Sequence, residues 1–107
     1  MVSDQVEIIK RRRNQLVIHS LIYYEFNANI IDDYTYDAWS KELAELQAKY
    51  PSESAAAPLS EMFADFDGST GYQLVGRATE HQRARAESLL RYHLINGRTI
   101  KWVAHRK

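Results

Sequence analysis

Tyr36, Trp39, Leu43, Leu46 and Tyr50 step by three, four, three and four residues, and Pro51 follows at once. A stripe of that period is what a helix with one buried face leaves in a sequence. Proline, which lacks an amide hydrogen, stops it. Upstream, Val6, Ile9, Leu16, Val17, Leu21 and Tyr24 recur at spacings near three and four with no Gly or Pro between them, which predicts a long helix from about Val6 to Phe26. Asn27, Ala28, Asn29, Asp32 and Asp33 break the pattern, because Asn and Asp suit turns and helix starts. Two helices joined by so short a loop pack antiparallel, so residues 5–50 should form a helical hairpin.

The remainder is less periodic. Residues 52–60 read as a Ser- and Pro-containing connector, 59–66 as one short helical turn, and Asp65-Phe-Asp-Gly-Ser-Thr-Gly71 as a turn. Tyr72–Val75 has the character of a short strand. Thr79 with Gln82 matches a capping box and opens a third helix, about 79–95, with Ala86, Leu89, Leu90, His93 and Leu94 on one side and Gly97 as its stop. Thr99–His105 alternates, with Ile100, Trp102 and Ala104 on one face, and should pair as a half-buried strand with the one near Tyr72. The expected fold is α+β and mostly helical: the hairpin, a third helix and a short C-terminal strand pair.

A chain of 107 residues is expected to form one domain, 1–107, with the hairpin over 5–51 and a part of undefined role over 59–107. Hydrophobic residues make up 45%, with seven Tyr, two Trp and three Phe, enough for a core without metal or disulfide. The absence of Cys excludes disulfides, thiolate metal sites and cysteine nucleophiles. No run approaches the ~20 apolar residues of a membrane span, and Met1-Val-Ser-Asp is not a basic-then-apolar leader, so a cytoplasmic location is expected.

Net charge is zero, but it is zoned. Residues 21–70 carry ten acids against Lys41 and Lys49, residues 71–107 eight Lys and Arg against Glu80 and Glu87, and the first 20 Lys10, Arg11, Arg12 and Arg13 against Asp4 and Glu7. Such zoning either steers a charged partner or is neutralised by pairing on folding. In the basic end Arg91, Arg98, Lys101, Arg106 and Lys107, with Trp102 interleaved, are candidates for binding a nucleic-acid backbone or a protein partner. Pairs of Arg83 and Arg91 with Glu87 would remove part of that potential. His19, His81, His93 and His105 do not fall at metal-ligand spacing, and His93 reads as a core histidine with one satisfied nitrogen.

Asp33, Tyr36 and Asp37 fall at i, i+3 and i+4, so two carboxylates and a phenol share one helical face. Tyr23 and Tyr24 leave the first helix just before the loop that folds beside that turn. Tyrosine faces attract a flat cationic ring and carboxylates accept from amide and hydroxyl groups, which describes a nicotinamide pocket. On spacing alone the commoner role of such residues is structural, with Tyr36 beginning the core stripe and Asp33 capping the helix.

The run Ile22–Asp37, followed by Trp39, Glu42-Leu43, Glu45-Leu46 and Tyr50-Pro51, resembles without a gap the first domain of bacterial NAD-dependent DNA ligases. The family pattern is a Tyr-rich helix end, a short loop, Asp-x-x-Tyr-Asp-x-Leu and a Glu-Leu-x-x-x-x-x-Pro close. The resemblance implies a grip on the nicotinamide mononucleotide half of NAD, with Tyr23, Asp33, Tyr36 and Asp37 as the corresponding contacts and Tyr24 beside them. Tyr24 stands where the ligases commonly carry a His, and Asn29 where they commonly carry a loop Pro.

A ligase would continue into an adenylation domain with a Lys-x-Asp-Gly nucleophile. The nearest string here, Asp65-Phe-Asp67-Gly68, has Asp in place of that lysine and cannot form the adduct, so no catalytic residue, metal or required cofactor is expected. Small stand-alone proteins resembling this domain are typical of bacteriophage genomes, which the resemblance therefore implies as a source. Three roles follow: a non-catalytic module binding NAD, nicotinamide mononucleotide or an enzyme that uses them; an interaction protein that inhibits a host protein or defence complex with the hairpin as scaffold; or a nucleic-acid-binding accessory acting through the basic end.

Overall fold

The computed structural model describes residues 4–102. In chain order its elements are α1 (Asp4–Tyr24), β1 (Ala28–Asn29), α2 (Asp33–Lys49), α3 (Pro51–Ala56), α4 (Tyr72–Arg77), α5 (Glu80–Ile95) and β2 (Lys101–Trp102). Helix α1 is the axis on which α2, α3, α4, α5 and β1 all pack. That position explains its sequence: Ile9, Leu16, Val17, Ile18, Leu21 and Ile22 are buried, too many for one amphipathic stripe, because α1 has neighbours on several sides.

The hairpin is present as expected. Asn27 takes a left-handed conformation, φ 55°, which Asn tolerates better than most residues, and turns the chain out of α1. Asp32, rather than Asp33, caps α2: its Oδ1 accepts the Thr35 N–H at 2.7 Å. Hydrogen bonding from Thr35, through its side chain and then this N–H, holds the Asp32 carboxyl below its usual pKa. Along α2, Leu43 is fully buried while Tyr36, Trp39 and Leu46 pack against the core from its margin. Pro51 ends α2 but at once occupies the first turn of α3, where its missing N–H costs nothing. The connector expected over 52–60 therefore begins as helix.

Arg13 fixes the chain beyond α3. Its side chain is only 1% exposed. Nη1 donates to Ala57 O (3.2 Å) and Pro58 O (2.9 Å), Nη2 to Ser54 O (3.0 Å) and Ser54 Oγ (2.7 Å), and Nε to Gln47 Oε1 (2.9 Å). The cation thus satisfies carbonyls at the C-terminal end of α3, where the helix dipole is negative. Burial lowers its pKa from the usual arginine value. Phe63 and Phe66, 5.3 Å apart and tilted edge to face, fill the space below. Gly68, at φ 85°, lies against the backbone of Ser40, where a side chain would crowd its carbonyl at 3.1 Å.

Residues 65–71 form the expected turn. Asp65 chelates Arg77 through both oxygens (2.7 and 2.9 Å), and Asp67 Oδ1 accepts from Ser69 N (2.9 Å) and Ser69 Oγ (2.6 Å). Those bonds hold both carboxyls below the usual aspartate range. The strand expected at Tyr72–Val75 is instead helix α4. Thr70 Oγ1 takes up the Tyr72 N–H (3.1 Å), Leu74 is buried against α1, and this packing overrides the β preference of Tyr and Val.

Helix α5 starts on the Thr79/Gln82 capping box, Thr79 N donating to Gln82 Oε1 (2.8 Å) and Gln82 N to Thr79 Oγ1 (3.2 Å). It ends at Gly97, φ 64°, with Arg98 N bonded to His93 O (3.0 Å) and Gly97 N to Leu94 O (3.3 Å). Ala86 and Leu90 are buried and Leu89 partly so, but Leu94 is exposed. The strand pair exists with a partner other than the one expected: β2 pairs antiparallel with β1, Trp102 opposite Ala28 and Lys101 opposite Asn29. Residues 72–75, being helical, have no edge to offer. Ile100 packs on the core, whereas Trp102 is 59% exposed. Among the described residues no helix is long and apolar enough to cross a membrane.

Candidate functional site

Where α1 ends and α2 begins, the hairpin encloses an open cavity of about 260 Å³. All five residues singled out for a ligand line it: Tyr23 and Tyr24 from the last turn of α1, and Asp33, Tyr36 and Asp37 from the first turn of α2. Their spacing explains the convergence. Residues i, i+3 and i+4 of α2 share a face, and the short loop brings that face against the C-terminal turn of α1.

Each side chain is oriented by a neighbour. The Tyr36 hydroxyl lies 2.7 Å from Ser20 Oγ on the buried side of α1, and burial raises its pKa above the usual tyrosine value. Asp33 Oδ1 accepts from Asn29 Nδ2 at 3.1 Å, so Asn29 in β1 holds that carboxylate at the rim. The Tyr24 ring meets Tyr23 edge-on at 4.8 Å and Tyr72 edge-on at 5.1 Å, an aromatic row from the end of α1 to the start of α4. His19, which also lines the cavity, has its ring centre 5.6 Å from that of Trp39. Burial, with His93 nearby, pushes its pKa down to about 4, so at neutral pH it presents an uncharged imidazole.

Five lining residues were not anticipated: His19, Asn29, Ser69, Thr70 and Gly71. His19 had a signal, standing four residues before Tyr23 on the same helical face. Ser69–Gly71 had none, because more than thirty residues separate them from Asp37 and no period connects the two. Gly71 needs its missing side chain for space: a Cβ there would collide with the Tyr36 hydroxyl and come within 2.5 Å of Ser20 Oγ.

Among the described residues, the candidate basic residues lie outside this cavity. Arg91 pairs with Glu87 (2.5 Å), whereas Arg83 does not: it spans to Glu25 at the end of α1 (2.9 Å). Arg98 lies over the Tyr92 ring at 5.7 Å. Lys101 lines a separate shallow groove with Thr99 and residues 29–33. Arg106 and Lys107 lie outside the described residues. Among the described residues, no group of His, Asp and Glu is placed to hold a metal ion.

Chemically the cavity offers phenol faces, two carboxylates, a neutral imidazole and small hydroxyls. That set stacks a flat ring and accepts hydrogen bonds from amides and sugar hydroxyls. A family model described as DNA ligase-like, N-terminal NAD+-binding domain matches residues 3–57, just over half the chain. No curated protein and no solved structure matches it.

Proposed function

The chain belongs to the family of DNA ligase-like N-terminal NAD+-binding domains, and on that premise we propose that its hairpin cavity binds the nicotinamide mononucleotide part of NAD without catalysing a reaction on it. The observation that carries this reading is the convergence of Tyr23, Asp33, Tyr36 and Asp37 on one open cavity inside the matched segment. A cationic pyridinium ring gains from the tyrosine faces and from the two carboxylates, while its carboxamide and ribose supply the donors that carboxylates require. The match ends at residue 57, before any adenylation chemistry, so the reading assigns binding alone.

Calorimetric titration with nicotinamide mononucleotide and with NAD tests it. A small, open site should bind with micromolar to millimolar affinity, roughly 4 to 8 kcal/mol, and Asp37→Ala should abolish the heat. Saturable binding that is unchanged in Asp37→Ala would place the ligand elsewhere, and no heat at millimolar ligand would end the nicotinamide reading.

A second reading has its own observation. Tyr92, Leu94, Ile95 and Trp102 are exposed at the far end of α5 and on β2, Ile95 by 77%. Apolar surface of this kind suits a protein partner, whose hold on Trp102 would resist salt, whereas phosphate contacts by Arg91, Arg98 and Lys101 would weaken about ten- to a thousand-fold between 50 and 200 mM salt. Titrating DNA at the two concentrations separates these partners.

A further inference from the structure

The cavity has two walls of different origin. One is the hairpin, inside the residues that match the ligase family; the other, Ser69–Gly71, lies beyond them. The second wall is built rather than draped. Asp67 Oδ1 accepts from both the backbone and the hydroxyl of Ser69, and Gly71 sits so close to Tyr36 and Ser20 that it admits no side chain. It attaches through Tyr24, the residue standing where the ligases commonly carry His: Tyr24 meets Tyr72 edge-on and faces Thr70 Oγ1 at 3.5 Å.

Hydrogen-bond chemistry shows what this wall adds. Asp33 and Asp37 line the cavity from the hairpin, and an ionised carboxylate only accepts. The Tyr36 and Ser20 hydroxyls bond to each other, which uses one of their two protons. A nicotinamide nucleoside has donors for the carboxylates, but it also has a carboxamide oxygen and ribose oxygens that need a donor. Thr70 can supply one. Its Oγ1 already accepts the Tyr72 N–H (3.1 Å), an arrangement that leaves its own proton to give, and the Tyr24 hydroxyl at 3.5 Å is at the outer limit for taking it.

Resting on the nicotinamide reading, we infer that Thr70 is a ligand-binding residue of this chain, donating from its hydroxyl to an oxygen of the bound nucleoside. The segment 69–71 thereby makes the cavity complete for a mononucleoside.

The test is calorimetric titration of the full chain with nicotinamide mononucleotide, using wild type, Thr70→Val, Thr70→Ser and Asp37→Ala, each checked by thermal melting. Valine keeps the shape and removes the donor; serine keeps the donor. The expected result is about ten-fold weaker binding by Thr70→Val, the worth of one hydrogen bond, with Thr70→Ser within about two-fold of wild type. If Thr70→Val binds like wild type while Asp37→Ala does not bind, Thr70 is no ligand contact and the nicotinamide reading survives. Equal weakening in Thr70→Val and Thr70→Ser would assign the effect to the shape of the wall and overturn the donor role. Wild type that binds no mononucleotide would overturn both inferences together.

Discussion

Between Asp4 and Lys49 the chain folds by repetition, with residues three and four apart packing one helix against the next. Between Ala57 and Gly71 it has no helix or strand, and its path is held by a few singular contacts: the Arg13 guanidinium on the carbonyls of Ser54, Ala57 and Pro58, the Phe63–Phe66 pair, and Gly68 against Ser40. Both regions reach the same cavity. A region built by repetition spreads its stability over many side chains, so single changes there are buffered. A region built by singular contacts should fail at named residues.

The largest effect is expected at Arg13, which stands on α1 but is the singular contact that holds the second region. Arg13→Ala leaves carbonyls at the end of α3 and the amide of Gln47 without their donor and opens a cavity beside Phe63, and should cost about 3–5 kcal/mol in urea denaturation. Arg13→Lys should recover little, since an ammonium cannot serve a fork of acceptors spread over three carbonyls. A loss below about 1 kcal/mol would mean that the segment is held by something other than this side chain.

Gly71→Ala should come next, at about 2–3 kcal/mol, because the added methyl group meets the Tyr36 hydroxyl. Tyr36→Phe removes the colliding oxygen, so the double variant should lose less than the sum of the two single ones. Strict additivity would show that Gly71 and Tyr36 do not meet.

A smaller, pH-dependent effect belongs to His19. Its folded pKa, about 4, lies below the ~6.5 of an unfolded histidine, so the unfolded chain takes up the proton first as pH falls. The neutral ring's contribution is complete above about pH 6.5 and is lost progressively down to about pH 4, a difference of roughly 1–2 kcal/mol for a half-buried imidazole. His19→Gln should flatten the stability curve across that window. An unchanged curve would show that His19 is solvated. The smallest effect is expected at Asp65, whose pair with Arg77 is exposed: Asp65→Asn should leave the melting temperature within error at physiological salt.

The same contrast explains what could be read from the residues alone. Tyr36, Trp39, Leu43 and Leu46 announced α2 and its buried side, and Thr79 with Gln82 announced the start of α5, because in each case the partners lie within one or two turns of each other. Tyr23, Asp33, Tyr36 and Asp37 could be placed around one cavity for the same reason. Arg13 could not be told from its basic neighbours, since its acceptors lie 34 to 45 residues further on. Tyr72–Val75 reads as strand because Tyr and Val favour one, whereas the burial of Leu74 against α1 and the Thr70 bond to the Tyr72 N–H favour the helix. Nothing local to Lys101 and Trp102 indicated that Ala28 and Asn29 would be their partners. Thr70 and Gly71 were missed as pocket residues for the same reason: a wall that arrives from a distant turn leaves no period behind.

A nicotinamide nucleotide is proposed to sit between the hairpin and this second wall. Amide chemical-shift mapping during titration with nicotinamide mononucleotide tests it most directly. Saturable shifts are expected at Tyr23, Tyr36 and Asp37 together with Ser69, Thr70 and Gly71, and none along α3 or the outer face of α5. Shifts confined to the Arg91–Trp102 end, or no saturable shift at millimolar nucleotide, would contradict it.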